Sequence, residues 1–116
     1  MILVANRIFV APAHRTAFEA LFASRARLVD GMSGFIANTV LRPLKADDPY
    51  IIQTLWESKA HFTAWTKSEE FIAGHARTGT LPEGAFTHPT ELELYEIAQA
   101  TNWPGIPSGN ATAAAS

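Results

Sequence analysis

Asn6, Trp65 and His75 are the side chains of this 116-residue chain whose type and setting call for a chemical explanation. Asn6 lies in the run Ile2 to Val10, where alternation places it on one strand face with Ile2, Val4, Ile8 and Val10. An unpartnered amide on such a face costs about 1–3 kcal/mol, so it is either tied to the backbone of a neighbouring element or meets a ligand. His75 follows Phe71 and Ile72 near an expected helix end, where a lone imidazole either engages the last carbonyls or serves as a ligand. The chain has no cysteine, and its histidines include no pair four residues apart, which disfavours zinc. A single imidazole is, by contrast, what the proximal side of five-coordinate heme iron takes. Trp65, with Phe62, Phe71 and Ile72, is either ordinary core or a flat apolar wall suited to a planar ligand. His14, His61 and His88 fall at a helix start, an early helical turn and a loop, and are expected to be solvated.

The elements that must position these groups follow from period and punctuation. Ile2 to Val10 is a strand closed by Ala11-Pro12; from Ala13 the spacing of Phe18, Leu21, Phe22, Arg25, Leu28 and Val29 is helical. Asp30-Gly31 ends that helix, with Gly31 expected in a left-handed conformation. Gly34 to Arg42 and Tyr50 to Glu57 are rich in β-branched and aromatic residues and form a hairpin around the polar stretch Pro43 to Pro49. Ser58 caps a second helix carrying Phe62 and Trp65, and Ser68 offers another cap before Phe71, Ile72 and His75, so two helical pieces with a kink near Ser68 are expected. Arg77 to Pro89 has no period and is a loop long enough to be functional; Thr90 to Ile97 is the last strand.

Strand, helix, strand, strand, helix, strand is the ferredoxin-like βαββαβ order of an α+β domain, one antiparallel sheet with both helices on one face. The domain is expected over residues 1–97, with 98–116 a flexible tail of small and polar residues apart from Trp103 and Ile106. Leu3, Ala5 and Phe9 on the opposite sheet face are apolar enough that a homodimer packed sheet on sheet is expected.

Composition narrows the function classes. Hydrophobic residues are 47% and charged residues 17% of the chain, an ordinary globular balance, and a chain of this length can bury about two thirds of its unfolded surface. The formal charge of -2, with Lys and Arg scattered, leaves no footprint for nucleic acid. Neither a membrane-spanning run nor a secretion signal is visible, so a mature, cytoplasmic chain with no membrane partner is expected. The lack of cysteine also removes disulfides, thiolate catalysis and iron-sulfur clusters.

Asn6 in VANRIFV, the helix-one run FEALFASRA with Phe22 and Arg25, the strand GFIANTVLRP, Trp56-Glu57-Ser58, and His61 to Trp65 followed by His75 resemble the heme-degrading monooxygenases of the antibiotic biosynthesis monooxygenase superfamily. The likeness covers residues 2–97. It implies a dimeric α+β barrel with heme, both substrate and cofactor, held between sheet and second helix. In that scheme His75 is the axial iron ligand, Asn6 bonds the ligand on the open iron face, and Trp65 presses on the macrocycle. Phe22, Arg25 and Phe71 line the pocket or approach the propionates. O2 and an external electron donor, a reductase or a small reductant, complete the reaction. Three rival readings stay open: a cofactor-independent monooxygenase acting on a quinol or aromatic, a heme-binding protein that does not degrade heme, and a ligand-free interaction module.

Overall fold

The computed structural model describes residues 1–69, 71, 81, 84–103 and 109–110, with residues 24–28 and 109–110 described by backbone alone. β1 (Ile2–Ile8) leads through a 3-10 turn (Pro12–His14) into α1 (Arg15–Val29). β2 (Phe35–Leu41) and β3 (Tyr50–Trp56) form the hairpin, α2 (Lys59–Thr66) follows, and β4 (Glu91–Glu96) closes the sheet. The sheet order is β2-β3-β1-β4 with every neighbour antiparallel, so the first strand is central, as the βαββαβ order requires.

Alternation decides the two faces. Tyr50, Ile52, Thr54 and Trp56 share the helix-covered face with Val4, Asn6 and Ile8, because the register sets Asn6 opposite Ile52 and Val4 opposite Thr54. One buried cluster under α1 joins Ile8, Val10, Phe18, Phe22, Tyr50 and Ile52; a second joins Val4, Val29, Trp56 and Trp65. Glu19 anchors α1 from outside: it accepts from Arg42 at 2.5 and 2.8 Å and from the Tyr50 hydroxyl. These bonds, Arg42's first and Tyr50's second, pull the Glu19 carboxyl down to about 2.

Two expectations, on Gly31 and on His61, are corrected by the structure, and the outer sheet face proves to carry some cover of its own. The left-handed glycine is Gly34 (φ +80°) and not Gly31, because α1 unwinds through consecutive turns, Met32 N–H to Val29 O and Phe35 N–H to Met32 O, before the strand begins. His61 is not a solvated bystander: its ring packs on the Gly34 Cα and its Nδ1 lies 2.7 Å from Ser58 Oγ. The outer sheet face is partly covered from within, since Leu3, Leu55, Ile36 and Ala37 pack with Ile97 and buried Ala100. Beyond β4 the chain forms a two-stranded ribbon of β5 (Gln99–Ala100) and β6 (Gly109–Asn110). Leu41 and Tyr95 remain exposed on that outer face, and Arg7 bonds Glu93 there at 2.7 Å.

Candidate active site

Two serines build the wall that carries Trp65. Ser58 Oγ accepts from the backbone N–H of His61, satisfying one of the free donors at the start of α2. Ser68 Oγ donates to Trp65 O at 2.7 Å and accepts from Phe71 N–H at 3.1 Å, closing α2 and opening a second helical turn that includes Glu69 and Phe71. The break near Ser68 therefore sets Trp65 and Phe71 against each other, ring planes perpendicular and centroids 5.5 Å apart.

Between this wall and the sheet lies a cleft of about 260 Å³. Val4, Asn6, Ile52 and Thr54 form its floor, Phe22 reaches in from α1, and Phe62, Trp65, Thr66 and Phe71 form the opposite side. Thr90 and Leu92 stand at its β4 side, and Leu92 and Leu94 are left exposed on the helix-facing side of that strand. Four of the residues singled out from the sequence, Asn6, Phe22, Trp65 and Phe71, thus line one cavity. Arg25 lies on α1 with its side chain outside the described residues, and His75 is outside them altogether.

Asn6 sits half-buried in the central strand, and its amide makes no hydrogen bond to any described residue. The tie to a neighbouring backbone, the alternative weighed for it, is absent among the described residues, and the amide faces the cleft instead. Trp65 is 8% exposed, 6.4 Å from Trp56 between ring centroids, and its indole N–H has no partner among the described residues. The cavity is thus an apolar slot with aromatic rings on its walls and an unspent amide on its floor, a lining that suits a flat, largely apolar molecule with one polar point of contact.

Sequence reasoning passed over Thr54, Ile52 and Leu92, all lining residues. The face alternation of the third strand, Tyr50-Ile52-Thr54-Trp56, carried the signal for the first two once that strand was set beside the first. A larger hollow of about 540 Å³ lies elsewhere, near Phe9, Asp47, Asp48 and His88. Among the described residues no three His, Cys, Asp or Glu side chains come together as a metal site, and no helix is long and apolar enough to cross a membrane.

The family model for antibiotic biosynthesis monooxygenase matches residues 1–77. A heme oxygenase (mycobilin-producing) of Mycobacterium tuberculosis is 36% identical over 76 residues, 66% of this chain and 71% of that protein. A heme-degrading monooxygenase of Shouchella clausii is 30% identical over 99 residues, 84% of this chain and 90% of its own length. Among solved structures, the heme-degrader MhuD of Mycobacterium tuberculosis, with two hemes bound in its active site, superposes with a TM-score of 0.71 at 31% identity, over 87% of this chain and 99% of MhuD.

Proposed function

Because this chain belongs to the antibiotic biosynthesis monooxygenase family, we propose that it is a heme-degrading monooxygenase, opening the porphyrin ring with O2 and external electrons and releasing iron. The observation that carries this reading is the Asn6 amide, without a hydrogen-bond partner among the described residues, on the floor of an aromatic-walled cleft. An amide on an otherwise apolar strand face, open to a cavity, is available to a ligand that brings a polar atom there.

Heme is the substrate, and when bound its iron supplies the oxygen-activating chemistry. The protein's part is orientation and exclusion of water. Phe22, Trp65 and Phe71 line the cleft and would enclose a bound macrocycle in apolar surface. Trp65 is wedged between Trp56 and Phe71, so it resists displacement and presses on a bound ring. Asn6 would donate its amide N–H to a small ligand held in the cleft beside the heme, a preorganised dipole in a site of low dielectric. His75 is the proposed axial ligand. It follows Phe71 by four residues, a tether of at most about 14 Å from the cleft wall. Arg25 is the proposed partner of a propionate.

The same reading assigns a cytoplasmic homodimer formed through the outer sheet face, where Leu41 and Tyr95 stay exposed beside the Ile97–Ala100 cover. Light scattering on the purified chain tests the dimer; a monomer at micromolar concentration removes that assignment. The heme assignment is tested by titrating the apo protein with hemin. A Soret band should saturate in wild type and be lost or strongly shifted in His75→Ala, with Asn6→Ala binding as wild type does. Equal spectra for wild type and His75→Ala would rule out His75 as ligand.

A further inference from the structure

We propose that Thr54 is a second hydrogen-bond donor of the cleft, acting beside Asn6 on the small ligand seated against the sheet; this rests on the heme reading above. Thr54 lines the cleft on the same floor as Asn6. Its Oγ1 lies 2.9 Å from Trp56 Nε1, and an indole N–H only donates, so the hydroxyl is the acceptor in that bond. The hydroxyl's own proton is therefore unspent: no described residue accepts it. Trp56 is fully buried, so this bond fixes the oxygen in place and leaves the proton to turn towards the cavity.

The register makes the two groups neighbours. Asn6 faces Ile52 and Val4 faces Thr54, so Asn6 and Thr54 are diagonal partners on one face, a spacing of about 7–8 Å with the Cβ atoms somewhat closer. The reach of the two side chains plus two hydrogen bonds of about 2.9 Å each covers that span, so both donors can meet on one acceptor atom. The other hydroxyls of the lining are not equivalent. Thr66 donates to Thr63 O at 2.7 Å, and Thr90 is exposed at the cleft's β4 side. A competing acceptor exists in Asn38, the cross-strand neighbour of Thr54, whose buried Oδ1 has no partner among the described residues; no hydrogen bond joins the two.

The test uses the full chain reconstituted with hemin and titrated with azide, an anion that takes the open axial position of ferric heme and accepts hydrogen bonds. Measured at saturating hemin, Thr54→Val should weaken azide binding by roughly tenfold, the loss of one hydrogen bond to a charged group. Thr54→Ser, which keeps the hydroxyl, should match wild type. Because Thr54→Val also strands the Trp56 N–H, the same change is made in a Trp56→Phe background, where the azide effect should persist. Asn38→Leu should leave azide affinity alone. Unchanged azide affinity in both Thr54→Val proteins, or an equal loss in Asn38→Leu, overturns the proposal. Failure of wild type to bind hemin would instead remove the functional reading beneath it.

Discussion

Replacing Gly34 with Ala tests how α2, and with it the Trp65 wall, is fixed to the sheet. Gly34 has φ +80°, a conformation that costs an L-residue about 1–2 kcal/mol. A Cβ added there would lie 2.1 Å from His61 Cγ, 2.4 Å from Cδ2 and 2.6 Å from Cβ. The nearest of these atoms belong to the base of the ring and the Cβ, so rotating the ring tip relieves nothing and the first turn of α2 must move. Overpacking of that kind costs about 1–3 kcal/mol, giving roughly 2–5 kcal/mol for Gly34→Ala in total. At about 4 °C per kcal/mol for a domain of this size, the midpoint should fall by roughly 8–20 °C. Urea denaturation of wild type, Gly34→Ala, His61→Ala and the double variant separates the two terms. The double variant should recover the steric part, about 1–3 kcal/mol of favourable coupling, and retain the backbone part. A Gly34→Ala protein within about 0.5 kcal/mol of wild type, or a cycle with no coupling, would refute the close packing of His61 on this turn.

Asn6→Leu should be neutral or stabilising in thermal melts, since the amide has no described partner and its face is apolar, while heme turnover is lost; a large destabilisation would mean the amide serves the fold. Ser68→Ala removes a cap and the bond to Trp65 O, and should lower stability by about 1 kcal/mol in urea titrations and alter Trp fluorescence. Glu19 is held at about 2 against an ordinary 4.5, chiefly by Arg42, so its contribution is complete above 4.5 and lost as pH falls towards 2. Glu19→Gln should flatten that part of the stability-pH curve, and an unchanged acid limb would show that the pair contributes nothing measurable.

The strands and helices were legible because their signals are local: alternation in Ile2 to Val10, the three-and-four spacing from Phe18 to Val29, and serines at both breaks of the second helical region. Asn6 was conspicuous for the same reason, a polar residue in an apolar period. What stayed hidden depends on register and close approach between distant segments. Thr54 is unremarkable in its own strand and becomes a site residue only once β3 is set beside β1. Gly34 and Gly31 look alike in sequence, and only the turns by which α1 unwinds into β2 show which of them is left-handed, while the approach of His61 from α2 leaves that glycine no room for a Cβ. Ala100 reads as part of a tail, yet with Ile97 from the end of the last strand it covers apolar groups on the outer face that only the assembled sheet creates.

The central claim is that heme is consumed in the cleft, and one time course addresses it. The purified chain is loaded with one equivalent of hemin and given ascorbate in air, and the Soret band is followed together with free iron trapped by a ferrous chelator. The band should decay as iron appears, and Asn6→Ala should keep its band with no iron released. A wild-type band that persists under reductant and O2, or decay matched by hemin without protein, would contradict it.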